Sequence, residues 1–248
     1  VAWNACEKYG YVTHDDYPFG KDDGKLTIPK GSTRREYYLD VNQMTELYHV
    51  FIEKKYPEDW DQDWREHAHE SLGLFLVQYL CNGFNLADAA RLVYDDHYFK
   101  SGKKSFRFIR KKTEDRSDTE IVIPIIEPLQ KILDEIAAKP EKGALVFPQI
   151  YAGETDENKQ KARISQENQN IRKRLGRLVK SMGWEVAPSG TWCRHSFATN
   201  LSHAGGVPKE YIQEAMGHSV MSGTVTDRYI QTYPLSRQIE CNSKLLKV

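Results

Sequence analysis

The chain has 248 residues, 40% hydrophobic and 28% charged, with 35 Lys and Arg balanced by 35 Asp and Glu. That length allows one large domain or two small ones with ample core, while the longest apolar run, 72–77, is far too short to span a bilayer. Zero net charge argues against a protein that coats DNA with a uniformly basic surface. The scattered Cys6, Cys81, Cys193 and Cys241 argue against a zinc knuckle or a disulfide framework and for reduced thiols in a cytoplasm.

Residues 1–8 read as the stub of a helix, so a fragment of a longer protein without a secretory leader is expected. Residues 13–34, with Pro18-Phe19-Gly20 and Pro29-Lys30-Gly31, have the composition of a linker. Helical periodicity follows, with Met44, Leu47, Tyr48 and Phe51 on one face and a longer helix at about 64–80. Asn82-Gly83 is a left-handed stop for that helix, and Asn85 is a suitable N-cap for a short one reaching Leu92. Residues 94–125 change period: Phe106-Arg107-Phe108 alternates, 113–117 is turn material, and Ile121-Val122-Ile123-Pro124-Ile125 is β-branched, which predicts a small antiparallel sheet with a basic edge. Helices are predicted again at 126–138, at 165–182 before Gly183, at 191–204 before Gly205-Gly206, and from Pro208 to Gly217. The expected fold is mainly α with one small antiparallel β-sheet (α+β), without internal repeats.

Charge is segregated although its sum is nil. Seven basic residues and no acid lie between Lys100 and Lys112, and a second basic run holds Lys161, Arg163, Arg172, Lys173, Arg174, Arg177 and Lys180. Acids gather instead at 58–70 and 154–157. Such segregation gives one positive face suited to phosphates. The last third of the chain carries the candidate chemistry: Arg194-His195-Ser196-Phe197-Ala198-Thr199, then Gly217-His218, then Tyr229. An arginine offers a planar fork of donors to non-bridging oxygens, a histidine after a helix stop adds a donor, and a tyrosine is a nucleophile able to form a covalent ester. Arg194 is expected in the first turn of its helix, where free amides also favour an anion. The basic hairpin ending in Lys111-Lys112-Thr113 suits proton donation to a leaving oxygen.

These residues carry a resemblance. Gly190-Thr191-Trp192-Cys193-Arg194-His195-Ser196-Phe197-Ala198-Thr199-Asn200-Leu201 resembles the second-arginine box of the tyrosine recombinases, the phage-integrase family, and Glu214-Ala215-Met216-Gly217-His218-Ser219 resembles its next box. Thr226-Asp227-Arg228-Tyr229-Ile230 is similar to the segment that bears the nucleophile. Ile109-Arg110-Lys111-Lys112-Thr113 followed by Ile121-Val122-Ile123-Pro124 resembles the family's lysine hairpin, with Lys112 at the lysine position. The resemblance runs from about residue 35 to the end, and Pro18-Phe19-Gly20 is similar to the linker of conjugative-transposon integrases. Three departures stand out. Asn85 occupies the place of the family's first arginine, with Arg91 and Arg110 as basic residues that could substitute for it; Thr191 replaces the histidine three residues before Arg194; and Tyr229 follows His218 by eleven residues, about two more than usual, the excess falling in 221–225.

The resemblance implies a tyrosine-recombinase catalytic-domain fold over 35–248, preceded in 1–34 by the end of a DNA-binding domain and a linker. It implies a site-specific recombinase that integrates or excises a mobile element. Tyr229 would form a 3′-phosphotyrosyl link, Arg194 and His218 would hold the phosphate, Lys112 would protonate the 5′-oxygen, and Asn85 and Thr191 would occupy the two altered positions. It further implies double-stranded DNA as partner, a tetramer on that DNA, accessory DNA-bending proteins, no cofactor or metal, no membrane, and a bacterial, nucleoid-associated cytoplasmic location. Tyr233 is the alternative nucleophile. Competing readings are a degenerate recombinase that only binds DNA, with 191–204 and 208–216 as a helix-turn-helix, a type IB topoisomerase, and a metal nuclease using Asp95-Asp96-His97 or His14-Asp15-Asp16.

Overall fold

The computed structural model describes residues 2–19, 25–26, 37–109, 120–217 and 232–248. The chain divides into two units, Val1–Glu36 and Tyr37–Val248. In the first, α1 (Ala2–Lys8) precedes a 3-10 turn at His14–Asp16. Tyr17 lies between Trp3 and Phe19, with ring centroids 5.3 and 5.9 Å away. Asp16 accepts from both the N–H and the hydroxyl of Thr13, at 2.7 and 2.8 Å, and these bonds hold its carboxyl below the usual range. Its carboxylate is thus engaged locally.

The second unit is built around one helix. α2 (Val41–Glu53) opens on a reciprocal cap between Asp40 and Gln43. α3 (Gln62–Leu80), capped by Asp61, is buried without interruption from Ser71 to Leu80. A stretch of helix buried on every side must sit in the middle of a fold, and α3 packs against α2 and three later helices: α6 (Glu127–Ile136), α7 (Glu157–Ser181) and α8 (Gly190–His203). Between them come α4 (Leu86–Arg91), α5 (Asp96–Lys100), and the antiparallel pair β1 (Ser105–Ile109) and β2 (Glu120–Pro124), with Phe106 opposite Ile123 and Phe108 opposite Ile121. α9 (Lys209–Ala215) and α10 (Leu235–Asn242) complete the unit. The architecture is the expected one, mainly α with a small antiparallel sheet.

Several details differ from expectation. α7 begins at Glu157 rather than 165, because Asp156 caps it through the Lys159 N–H at 2.9 Å and its exposed first turns carry no apolar stripe to betray them. α5 interrupts the region read as sheet; Asp95 caps it by accepting from the Tyr98 N–H at 2.9 Å. α8 begins at Gly190, one residue early.

Two buried polar chains lock the helices together. Ser196 Oγ accepts the Leu39 N–H at 2.8 Å, while Asn200 Nδ2 lies 3.1 Å from Leu39 O and 2.9 Å from Tyr79 Oη, and the Tyr79 hydroxyl donates to Leu245 O at 2.8 Å. In the second, Tyr211 donates to Asn242 Oδ1 (2.7 Å), Asn242 Nδ2 to Asn82 Oδ1 (2.9 Å), and Asn82 Nδ2 to Val122 O (3.0 Å). Buried polar side chains at these positions are therefore satisfied. All four cysteines are free; Cys81, Cys193 and Cys241 are buried, and burial raises their thiol pKa values. Among the described residues, no helix is long and apolar enough to cross a membrane.

Candidate active site

The site starts from a turn that only glycine fits. After the Cys81 cap of α3, Asn82 (φ 56°) and Gly83 (φ 65°) both adopt left-handed backbone. A Cβ on Gly83 would lie 2.8 Å from the Arg194 Cα and 3.2 Å from the Phe197 Cβ. Glycine supplies both the conformation and the clearance, and α8 can press its backbone against the end of α3.

Arg194 exploits that approach. Its Nη1 donates to Gly83 O at 3.4 Å and its Nη2 to Met216 O at 2.9 Å. Met216 is the C-cap of α9 and precedes Gly217 (φ 64°) and His218. One guanidinium thus ties the end of α3 to the end of α9. Around it opens a cleft of about 730 Å³, lined by Asn85, Thr191, Arg194 and His195 and, from α7, by Lys161, Asn168 and Arg172.

The cleft brings together three of the residues singled out in the sequence: Asn85, Thr191 and Arg194. Asn85 is the N-cap of α4, its Oδ1 accepting the Asp88 N–H at 2.9 Å. The Thr191 hydroxyl lies 3.0 Å from Ser189 Oγ. Because α8 starts at Gly190, Arg194 is its fifth residue and lies beyond the first-turn amides. The expected pairing of Arg194 with its own helix N-terminus is corrected accordingly: the helix start and the guanidinium line the same cleft from adjacent turns. Lys112, His218 and Tyr229 lie outside the described residues, as does Arg110.

Other candidates are placed elsewhere. Tyr233 packs edge-on against Tyr211, with centroids 5.4 Å apart, and its N–H donates to Glu214 at 3.0 Å. Partial burial, aided by Glu210 and Glu214, raises its phenol pKa, which works against ionisation as a nucleophile. Asn82, in the turn before Asn85, is buried in the second polar chain. Arg91 lines a smaller cavity of about 210 Å³ with Asp88 and Arg107. Asp95 caps α5, Asp96 pairs with Lys142 at 2.7 Å, and His97 Nε2 lies 2.9 Å from Ser105 Oγ, so these three adjacent side chains turn to separate partners. Among the described residues, no group of three His, Cys, Asp or Glu side chains is arranged to hold a metal ion.

Sequence reasoning placed Lys161 and Arg172 in a basic run but missed that α7 walls the cleft, and it missed the role of Ser196 and Asn200. Both were signalled. Lys161, Ser165, Asn168, Gln169 and Arg172 recur at helical spacing and line the cleft as one stripe. Ser196 and Asn200 fall on the same face of α8 as the buried Cys193, Phe197 and Leu201, where a polar side chain must find a partner.

The sequence matches the phage integrase family over residues 15–235. No curated protein matches it. Among solved structures it is similar to an integrase from mycobacterium phage Brujita, at 16% identity and a TM-score of 0.49, covering 100% of this chain and 70% of that one. It is also similar to XerA recombinase, at 14% identity and a TM-score of 0.45, covering 88% of this chain and 66% of that one. The family match spans most of the chain and includes the turn at Gly83, the α7 stripe and Arg194, so the chain belongs to the phage integrase family of tyrosine site-specific recombinases.

Proposed function

We propose that this recombinase breaks and rejoins double-stranded DNA through a 3′-phosphotyrosyl intermediate, in the service of integrating or excising a mobile element such as a conjugative transposon. The observation that carries the reading is the position of Arg194. It stands on the wall of a cleft of about 730 Å³ and is bonded to the carbonyl immediately before Gly217-His218. A guanidinium fixed by two carbonyls presents a preset plane, and preset donors stabilise developing charge without reorganising during reaction.

In this reading a phosphate enters the cleft and meets Arg194 and His218 at its non-bridging oxygens. The Tyr229 oxygen attacks in line, a bond from that oxygen to phosphorus forms, and the bond from phosphorus to the 5′-oxygen breaks. The phenol loses its proton to solvent, and Lys112 supplies one to the departing 5′-oxygen and regains it from solvent. A 5′-hydroxyl from the partner strand reverses the step. The ester retains the bond energy, so the exchange consumes no ATP. Residues 35–248 act as the catalytic domain and 1–34 as the end of a DNA-binding domain with its linker; exchange between two duplexes calls for four protomers, with DNA-bending proteins assisting.

One observation favours a binding-only protein instead: Asn85 brings no charge to the cleft, and its side-chain oxygen caps α4. Tyr229→Phe separates the two readings. A recombinase loses strand exchange and keeps its affinity for DNA, whereas a protein that only binds has no exchange to lose.

A further inference from the structure

Among the described residues, Arg194 is a fixed cation at the cleft, and Asn85 leaves the place of a second one uncharged. As phosphorus takes up a fifth oxygen, negative charge grows on its non-bridging oxygens, and a water-poor site must answer it with fixed positive charge. Arg194 is one such charge. A lysine that passes its proton to the leaving oxygen gives up its charge as it acts, so it is not a standing counter-ion. Asn85 supplies none, and its carboxamide oxygen is engaged by the Asp88 N–H.

α7 brings two cations to the cleft, Lys161 and Arg172. Lys161 pairs with Glu157 at 3.2 Å. Three other cations of α7 are also committed: Arg174 to Ser71 and Glu167 at 3.1 and 3.6 Å, Lys173 over the Trp64 ring at 5.7 Å, and Arg177 over Trp60 and Trp64 at 4.8 Å each. Arg172 differs. It is exposed, it lines the cleft, and among the described residues it meets neither a hydrogen-bond acceptor nor a carboxylate. Its neighbours Ile171 and Leu175 are buried, which anchors this turn of the helix and fixes the direction of the side chain's root. A planar guanidinium with its donors uncommitted is suited to two phosphate oxygens at once.

We propose that Arg172 is the second standing cation on the scissile phosphate, delivering from α7 the charged donors that Asn85 does not provide. This rests on the reading of the cleft as the strand-transfer site.

The test pairs two substrates with three variants of the protein. One nicked duplex carries an ordinary phosphate at the scissile position; the other carries a methylphosphonate, in which a methyl group replaces one non-bridging oxygen and removes the negative charge. Single-turnover cleavage is followed at saturating DNA for the unaltered protein, Arg172→Gln, Arg172→Lys and the double variant Asn85→Arg with Arg172→Gln, with thermal melts confirming that each is folded. Arg172→Gln is expected to cut the phosphate roughly 10²–10³ times more slowly, and on the neutral methylphosphonate to fall within about tenfold of the unaltered protein. Arg172→Lys should lose less, and Asn85→Arg should restore part of the rate. If the unaltered protein cuts and Arg172→Gln cuts the phosphate equally fast, or is slowed equally on both substrates, the assignment of Arg172 is wrong and the site reading stands. If the unaltered protein cuts neither substrate, the site reading fails and Arg172 falls with it.

Discussion

Gly83 lies directly against Arg194: a methyl group at position 83 would come within 2.8 Å of the arginine's Cα, and the Gly83 carbonyl accepts from its Nη1. The turn that ends α3 is therefore part of the mounting of the guanidinium. Gly83→Ala must strain a left-handed backbone and also push α8 away. We expect it to lower stability by roughly 2–5 kcal/mol, read as a lower urea midpoint. Gly143→Ala is the control, since Gly143 also has positive φ (81°) but has nothing within 4 Å of an added Cβ; it should cost only about 1–2 kcal/mol. Equal losses at the two positions would remove the claim that contact with Arg194 matters.

Arg194 spans two carbonyls on different elements, Gly83 O and Met216 O. A single ammonium cannot span them, so Arg194→Lys should be nearly as damaging to cleavage as Arg194→Gln. Both should slow it by about 10²–10³, with DNA binding largely kept. A lysine variant that cuts at the unaltered rate would show that charge alone suffices.

Ser196 and Asn200 belong to the recombinase box by sequence, yet their side chains face the core and hold the backbone of Leu39. Asn200→Ala would leave a carbonyl and the Tyr79 hydroxyl short of a partner and open a small void. We expect a loss of about 2–4 kcal/mol, and about 1–3 kcal/mol for Ser196→Ala, in chemical denaturation. Once folded, both variants should cleave at close to the unaltered single-turnover rate. A large drop in that rate with unchanged stability would move these residues into the chemistry.

Acid should loosen the α2–α3–α6 corner. His69 stacks on Phe51 with centroids 4.2 Å apart; Nε2 lies 2.9 Å from Glu135, and Nδ1 lies 2.8 Å from the Tyr56 hydroxyl. In the neutral ring, Nε2–H donates to Glu135 and Nδ1 accepts from Tyr56. Burial lowers the His69 pKa from its ordinary 6.5, an effect that Glu135 only partly offsets. The unfolded chain then binds more protons below about pH 6.5, so the contribution of His69 is complete above that pH and is lost as pH falls toward the depressed folded value. Glu70, raised by burial and by Glu167, acts in the opposite sense nearer its own ordinary value of 4.5. Melting temperatures measured between about pH 7.5 and pH 5.5 should fall on acidification, and His69→Gln should flatten that slope. Parallel slopes for the two proteins would count against this assignment.

The sequence was most readable where burial and period agree. α3 was recognisable because its apolar run ends at Asn82-Gly83, a stop that the backbone adopts. Pro208 and Gly217 bracketed α9 for the same reason, with Pro208 as the cap itself. α7 was only half legible: its first two turns are polar and exposed, and its start is fixed by one hydrogen bond from Lys159 to Asp156. α5 escaped because five residues carry too little period to separate from neighbouring sheet. At the cleft, the Arg194 box was plain as a motif, but a motif runs along one helix. The α7 stripe enters from another helix, and the contact between Arg194 and Met216 joins residues 22 apart in sequence. Such meetings are set by packing, which a linear pattern does not encode.

The most direct measurement is covalent trapping. The protein is incubated with nicked DNA carrying the junction of its element, and the adducted residue is identified by peptide mass spectrometry. We expect a 3′-phosphotyrosyl peptide containing Tyr229, lost in Tyr229→Phe. An adduct on Tyr233 would keep the chemistry and transfer the nucleophile's role to a residue that packs on Tyr211. No adduct on any tyrosine, with binding to the same DNA demonstrated, would contradict strand transfer and leave a protein that only holds DNA.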